Sequence, residues 1–335
     1  MAKIRVAING LGRIGRAFLK EALKHDEIEV VAVNDLGDIN NLAYLLRYDT
    51  TFGRSGLEVA AKEKALTIDG KEITYVSEKE PAKLPWKELG VDVVVESTGF
   101  FTSAAASQAH IDAGAKRVVI SAPIKDGETI LMGLNEDRLG NANVTSNASC
   151  TTNASSPIIA ILDEAIGIEK AVLNTVHAYT ATQALVDGPA GKKGVREGRA
   201  AAANIIPSST GAAVAVTKAY PSLEGKFDGI SLRVPVICGS IADITFIAKR
   251  DTTVDEVNAA LSKAAKEKRW KGIFAVAEDE LVSSDILGRP EGAIAELSMT
   301  RVVGGNLVKV LSWYDNESGY AATLVRHVIE TGKHI

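Results

Sequence analysis

A chain of 335 residues, 46 % hydrophobic and 24 % charged, is long enough for two domains and has the composition of a water-soluble globular protein. A formal net charge of −4 gives it no bulk attraction for nucleic acid or an anionic membrane. No apolar run reaches the roughly 18 residues of a membrane span, and MAKIRVAING enters a strand pattern with no charged-then-apolar leader, so the expectation is a cytoplasmic protein in a reducing compartment, with no membrane or nucleic-acid partner.

KIRVAING is an apolar, β-branched run suited to a buried parallel strand. GLGRIG follows at once and sets Gly10, Gly12 and Gly15 ahead of RAFLKEALKH, a helical pattern with Phe18, Leu19, Ala22 and Leu23 on one face. EVVAVND is a second buried strand ending at Asp35. Glycine-rich turns are common, but strand, glycines, helix, strand and acidic residue in this order describe a dinucleotide-binding unit. Gly10 permits the tight turn, Gly12 lets the backbone approach a pyrophosphate, and Gly15 lets the helix pack on the strand. The helix start offers free N–H groups to the diphosphate. Asp35 offers its carboxylate to ribose hydroxyls and repels a 2′-phosphate, so the expected cofactor is NAD rather than NADP.

ALTIDGKEITYV reads as a hairpin turning at Asp69 and Gly70, VDVVVESTGFF as another buried strand, SAAASQAHIDAG as a short helix and KRVVISAP as the strand after it. Alternating apolar strands and helices predict an α/β fold with a doubly wound parallel, Rossmann-type sheet. Ligands of such sheets sit at the carboxyl ends of the strands, where Asp35, Thr98, Gly99 and Ser121 fall.

SNASCTTNASSP is an unusual setting for Cys150, one of two cysteines. Cys238, in SLRVPVIC, reads as a small inert hydrophobe. An inert thiol stays open for Cys150 on local grounds. A disulfide lacks an oxidising compartment, and no CxxC or HxxxH spacing supplies a metal site, so no metal is expected. SPIIAILDEAIG is helical, which puts Cys150 at a helix N-terminus, where the dipole favours a thiolate. His25, His327 and His334 sit on or beside charged helical stretches, and His110 lies in a helix of the cofactor half; all four read as ordinary surface or cap residues. His177 ends the apolar strand AVLNTV and opens HAYTATQ, and with an accessible cysteine in the same half it reads as the base. Farther on, Lys192, Lys193, Arg196 and Arg199 make a basic loop, the lysines reading as a solvated face. PSSTG and the Arg233 of SLRVP offer hydroxyls, an N–H and a guanidinium suited to phosphate. The long alternating strands in ISLRVPVICGSIADITFIAK and AELSMTRVVGGNLVKVLSWYD predict an α+β catalytic domain with a mixed or antiparallel sheet. NAD, a reactive thiol, a histidine and anion-binding groups together suit aldehyde oxidation through a hemithioacetal and a thioester.

INGLGRIGR, VNDL, STGFF, SNASCTTN, TVHAYTATQ, DGP, NIIPSSTGAA, RVP and WYDNESGY run nearly end to end, and together they resemble the phosphorylating glyceraldehyde-3-phosphate dehydrogenase family. The resemblance implies a nucleophile at Cys150 with His177 as its base, and oxidation of glyceraldehyde 3-phosphate by NAD and inorganic phosphate. It implies Thr180 and Arg233 at the substrate's phosphate, and Ser149, Thr151, Thr210 and Gly211 at the attacking phosphate. Arg13, Ile14, Asp35, Lys79, Ser121 and Asn316 match cofactor contacts, Asn316 holding the nicotinamide amide. It also implies a homotetramer and a terminal helix that returns to the cofactor domain, giving residues 1–149 with 316–335 as one domain and 150–315 as the other. Ala154, Val214 and Val236 depart from the family's usual Cys, Lys and Thr. An erythrose-4-phosphate dehydrogenase is the alternative enzyme, against which Thr180 speaks; a catalytically silent NAD-binding interaction protein is the other alternative, against which Cys150 and His177 speak.

Overall fold

The computed structural model describes residues 2–189 and 194–335; Lys192 and Lys193 of the basic loop lie outside the described residues. The chain divides into two compact units, Met1–Ala148 with Ala321–Ile335, and Ser149–Tyr320. The second division falls after Tyr320 rather than before Asn316, because Asp315 and Asn316 are bound within the second unit. Asp315 Oδ1 accepts the N–H groups of Glu317 and Ser318, and Asn316 Oδ1 accepts from the Gly239 N–H and the Ser240 hydroxyl.

In the first unit β1 (Ile4–Asn9), α1 (Arg13–Ala22) and β2 (Ile28–Asn34) form the opening βαβ unit, followed by α2 (Ile39–Arg47) and a short ribbon of β3 (Tyr48–Asp49) and β4 (Gly53–Arg54). β6 (Ala65–Ile68) runs antiparallel to both β5 (Val59–Lys62) and β7 (Lys71–Val76), and β8 (Val93–Glu96), α3 (Ala104–Asp112), β9 (Arg117–Ile120), β10 (Glu128–Thr129) and β11 (Val144–Ser146) complete the unit. The sheet order is β10-β11-β9-β8-β1-β2-β7-β6-β5. β1 pairs in parallel with β2 on one side and β8 on the other, so the winding reverses there. The β6–β7 turn has Asp69 at φ 48° and Gly70 at φ 79°, the left-handed pair that a tight hairpin requires. Val6, Ala7, Ile8, Val93, Val94, Val95, Val118 and Val119 are wholly buried, as central parallel strands covered on both faces should be.

Two histidines expected at the surface lie in this unit's core. The alanine-rich α3 has no apolar stripe to mark its inward face, and Ser107 and His110 turn inward. Trp86 Nε1 donates to His110 Nδ1 at 3.0 Å, which leaves the ring proton on Nε2 facing Glu96 Oε2 at 3.1 Å. His327 is buried where the terminal helix packs on the sheet: Thr145 Oγ1 lies 2.8 Å from Nε2 and Asn147 Oδ1 lies 3.2 Å from Nδ1.

The second unit opens with α4 (Cys150–Ile166) and β12 (Ile168–Ala178), then β13 (Ile206–Ser209), α5 (Ala212–Ala219), β14 (Phe227–Val234), β15 (Ser240–Ala248), α6 (Val254–Ala264), β16 (Phe274–Val276), β17 (Ala293–Val303) and β18 (Leu307–Tyr314). α7 (Ser318–Gly332) carries the chain back to the first unit. The sheet order is β13-β14-β12-β15-β18-β17-β16. β12 with β14 and β16 with β17 are parallel and the other pairs antiparallel, so the sheet is mixed. α4 and α6 pack on β17, α4 also on β12, β15 and β18, and α5 on β14. No helix among the described residues is long and apolar enough to cross a membrane.

Burial pushes the His327 imidazolium down to about 3 from an ordinary 6.5. The folded protein keeps this ring neutral, while the unfolded chain protonates it below 6.5. Its stabilising contribution is therefore complete above pH 6.5 and is lost as pH falls toward 3, with a limiting slope of about 1.4 kcal/mol per pH unit. His327→Gln should lower stability at neutral pH and flatten the acid limb of a urea-denaturation series. An acid limb as steep as the wild type's would contradict a neutral buried ring.

Candidate active site

In the first unit the cofactor candidates gather at the carboxyl ends of β1, β2 and β8. Gly10 stands at φ +96°, and a Cβ there would lie 2.8 Å from Thr98 N. A Cβ on Gly15 would lie 2.0 Å from the Gly10 carbonyl oxygen, whereas one on Gly12 would meet nothing within 4 Å. Only glycines allow this turn to close against β8 while leaving open space above the start of α1. Gly12 caps that helix without any side chain, so the first N–H groups are offered outward. Asp35 Oδ2 accepts the Leu11 N–H at 2.6 Å and Oδ1 the Gly37 N–H at 2.8 Å, and each oxygen keeps acceptor capacity for a diol. An open cradle, an uncapped helix start and a carboxylate at the next strand end together suit a dinucleotide.

The remaining cofactor candidates divide. Thr98 donates its N–H to Glu96 Oε1 at 2.8 Å, and Gly99 beside it is exposed. Ser121 follows β9, its N–H on the Glu96 carbonyl at 2.9 Å. Lys79 is exposed beyond β7. The Arg13 guanidinium is bound to Asp49, with Nη1 2.8 Å from Oδ2 and Nη2 3.3 Å from Oδ1. Burial works to raise the Asp49 carboxyl, but the Thr51 and Phe52 amides and Arg13 outweigh it and hold it below its ordinary range. The Arg13 guanidinium at the helix start is thus engaged with Asp49.

In the second unit Cys150 is the first residue of α4. Ser149 caps the helix, its Oγ accepting the Thr152 N–H at 3.1 Å. The Cys150 Sγ lies 3.3 Å from His177 Nε2, and the residue keeps partial exposure. The expectation of a thiol lowered by the helix start alone needs correction. Burial pushes the Cys150 thiol up, against the charge of Arg233, the N–H and hydroxyl of Thr151 and the thiol's own backbone amide. His177 Nε2, 3.3 Å from Sγ, is within reach of the thiol proton.

His177 Nδ1 lies 2.7 Å from the Ala178 carbonyl oxygen and also 2.8 Å from Arg233 Nη1. These contacts are alternatives. If Nδ1–H donates to Ala178, Nε2 is free to accept the thiol proton; if Nδ1 accepts from Arg233, Nε2 carries the ring proton and cannot. Arg233 Nη1 is also 3.2 Å from the Ala178 oxygen, and its buried Nε has no acceptor among the described residues. A guanidinium with an unmatched buried N–H, pressed against an imidazole, is poised for an anion.

Tyr314 is a residue sequence reasoning missed. Its ring meets His177 edge-on at 5.8 Å between centroids, and its hydroxyl lies 2.9 Å from Thr151 Oγ1 and 2.7 Å from Thr175 Oγ1. Burial and the nearby Cys150 raise its phenol, so it stays protonated. The signal was present, since WYDNESGY sets Tyr314 two places before Asn316, but nothing in it marks which side the ring faces. Thr180 lies just beyond β12, with its N–H on Gln183 Oε1 at 2.7 Å. Thr210 Oγ1 accepts the Ala212 N–H at 3.2 Å and Gly211 caps α5. The β13–β14 register pairs Ile206 with Arg233 and Ser209 with Ile230, so Thr210 and Gly211 follow the end of β13 that points away from Arg233.

A nucleotide-binding unit joined to a unit with a thiol–imidazole pair defines an oxidoreductase that works through a cysteine nucleophile. Residues 4–104 match the model described as glyceraldehyde 3-phosphate dehydrogenase, NAD binding domain, and residues 149–316 the model described as its C-terminal domain. The chain is 51 % identical to the glyceraldehyde-3-phosphate dehydrogenase of Streptomyces coelicolor over 99 % of both chains. It is 48 % identical to that of Clostridium pasteurianum over 96 % of both, and 48 % identical to glyceraldehyde-3-phosphate dehydrogenase 1 of Candida glabrata over 96 % of this chain and 97 % of the relative. The chain belongs to the glyceraldehyde-3-phosphate dehydrogenase family, and its cofactor is NAD.

The thiol–imidazole contact predicts a pH-dependent alkylation rate. In His177→Asn the inflection for iodoacetate labelling of Cys150 should move to higher pH, and turnover should fall by about 10²–10⁴. An alkylation profile identical to the wild type's would remove His177 as the proton acceptor.

Proposed function

We propose that the chain oxidises D-glyceraldehyde 3-phosphate with NAD and inorganic phosphate to 1,3-bisphosphoglycerate, with Cys150 as nucleophile and His177 as base. The observation that carries this reading is the 3.3 Å contact between Sγ and Nε2 in a chain with a dinucleotide-binding first unit. His177 takes the thiol proton as Sγ bonds to the aldehyde carbon and returns it to the former carbonyl oxygen, giving a hemithioacetal and a neutral imidazole. His177 then accepts the hemithioacetal's hydroxyl proton as the carbon loses hydride and becomes a thioester carbonyl. NAD, when bound, supplies the two-electron acceptor for that hydride. Phosphate oxygen attacks the thioester, the C–S bond breaks, and Cys150 leaves as thiolate with the acyl phosphate as product.

Gly10, Gly12 and Gly15, the Arg13 and Ile14 amides, Asp35, Thr98, Gly99 and Ser121 hold the cofactor in this reading, with Lys79 at the adenine side and Asn316 at the nicotinamide amide. Arg233 and Thr180 bind the substrate's phosphate, and Ser149, Thr151, Thr210 and the Gly211 N–H serve the attacking one. An anion drawn to Arg233 relieves its contact with His177 Nδ1, so Nδ1–H returns to the Ala178 carbonyl and Nε2 becomes the acceptor. Substrate binding and base activation are then one event, and part of the phosphate's binding energy appears in turnover.

A homotetramer in the cytoplasm completes the reading. The face of the second sheet that carries Val172 and Ile230, 61 % and 56 % exposed, also carries Asn174, whose buried Oδ1 has no partner among the described residues. Register aligns Asn174 with Ile230 and with Asp243. Apolar side chains around an unmatched polar atom suit burial against another copy.

Turnover should saturate with inorganic phosphate, and arsenate should replace it while yielding free 3-phosphoglycerate. Full, sustained turnover in buffer free of both would reassign the chain to hydrolytic aldehyde oxidation. Arg233→Leu should raise KM for the aldehyde and lower kcat together. A rise in KM alone would separate substrate binding from activation of His177.

A further inference from the structure

The chain leaves β2 at Asp35 and turns sharply before Asp38 caps α2 through the Asn41 N–H at 2.9 Å. Leu36 within this turn is 63 % exposed, and the buried Leu42 side chain lies beneath Gly37. The turn is also held from the neighbouring strand. β2 and β7 run parallel with Val33 opposite Tyr75, and the Asp35 N–H continues the ladder onto the Val76 carbonyl at 3.1 Å. The Tyr75 hydroxyl lies 2.8 Å from the Asp35 carbonyl oxygen and 2.6 Å from that of Gly37. One phenolic proton thus serves both carbonyls, and the turn curls around it. Burial raises the Tyr75 phenol, and Asp35 and Asp38 raise it further, so it remains a donor.

The same turn fixes the Asp35 carboxylate. Its Oδ1 takes the Gly37 N–H at 2.8 Å and its Oδ2 the Leu11 N–H at 2.6 Å, so the carboxylate is aligned between the glycine turn after β1 and residue 37. Space is tight: a Cβ on Gly37 would lie 3.0 Å from Asp35 Oδ1. Opening the turn would release the Gly37 N–H, let the carboxylate swing away, and leave a backbone donor where a phosphate could find it.

We propose that Tyr75 is a coenzyme-selectivity residue, acting as a positioning residue whose hydroxyl closes residues 35–37 and holds the Asp35 carboxylate in the geometry that accepts a ribose diol and excludes a 2′-phosphate. This rests on the reading of Asp35 as the ribose acceptor. Tyr75 touches neither reacting atoms nor, in this geometry, the ribose; it acts through Asp35. Its effect therefore falls on cofactor binding and cofactor choice, and the chemical step is spared.

The test compares wild type, Tyr75→Phe, Asp35→Ala and the double variant of the full-length enzyme, in steady-state kinetics with NAD and with NADP. Tyr75→Phe keeps the ring and removes the hydroxyl. It should raise KM for NAD and lower the NAD-over-NADP ratio of kcat/KM by about tenfold, the equivalent of one hydrogen bond, with kcat for NAD within about twofold of wild type, since a group that acts only on cofactor binding leaves turnover intact. In the Asp35→Ala background the same substitution should leave the ratio unchanged, because the carboxylate it positions is gone. An unchanged ratio in Tyr75→Phe, with a lowered ratio in Asp35→Ala, would overturn the role of Tyr75 and leave that of Asp35 standing. An unchanged ratio in Asp35→Ala would sink the Asp35 reading, and the proposal with it. Additive effects in the double variant would also overturn the proposal, since two residues acting through one carboxylate must couple. Should Tyr75→Phe fail to fold, Gly37→Ala displaces the same carboxylate without touching the phenol; the ratio should fall there, and an unchanged one would overturn the proposal, since alignment of the carboxylate would then not set the choice.

Discussion

The contact between Cys150 and His177 is the interaction on which the second unit's chemistry depends, and much of that unit holds the two side chains 3.3 Å apart. The thiol is fixed by being the first residue of a long buried helix, so its direction follows from the helix axis and the Ser149 cap. The imidazole is fixed from three sides. Nδ1 faces both the Ala178 carbonyl oxygen and Arg233 Nη1, the Tyr314 ring stands edge-on to the imidazole, and the N–H of the next residue, Ala178, is anchored on Ser240 Oγ at 3.1 Å. Ser240 Oγ in turn donates to Asn316 Oδ1 at 3.0 Å, so one hydroxyl ties the strand end bearing His177 to the turn bearing Asn316.

Electrostatics decides what this geometry does at rest. Burial raises the thiol and Arg233 lowers it, but the same guanidinium crowds His177 Nδ1. A charge that favours thiolate also disfavours an imidazolium 2.8 Å away. Arg233 thus acts on both members of the pair, working to lower the thiol while its Nη1 faces Nδ1 of the imidazole.

Much of this was legible in the sequence because it rests on local rules. The glycine turn, the strand ends and the helix start at Cys150 follow from period, turn residues and capping, and the Asp69–Gly70 hairpin from its dipeptide. What escaped is long-range. His110 and His327 look like surface residues on helices of weak amphipathicity, and only tertiary packing reveals Trp86, Glu96, Thr145 and Asn147 as their partners. The Arg13 side chain pairs with Asp49, a residue no local pattern connects to it. Tyr75 reads as one more strand residue of a hairpin until the parallel pairing of β7 with β2 sets it beside Asp35. The raised Cys150 thiol belongs to the same class, since desolvation depends on what covers the group and not on its neighbours in sequence.

The mixed second sheet explains why His177 and Arg233 meet at all. In an antiparallel pair the strand end carrying one residue lies beside the other strand's beginning, so two residues near carboxyl ends stand at opposite edges. β12 and β14 are instead a parallel pair, and their register places His177 directly opposite Arg233. β13, antiparallel to β14, starts at that same edge with Ile206, and β15, antiparallel to β12, begins there with Ser240 just after the Gly239 turn that receives Asn316. One parallel pair within an otherwise mostly antiparallel sheet thus concentrates two carboxyl ends and two strand starts on a single edge. The meeting of His177 with Arg233, and the serine that links His177's strand to Asn316, are consequences of that one choice of strand direction.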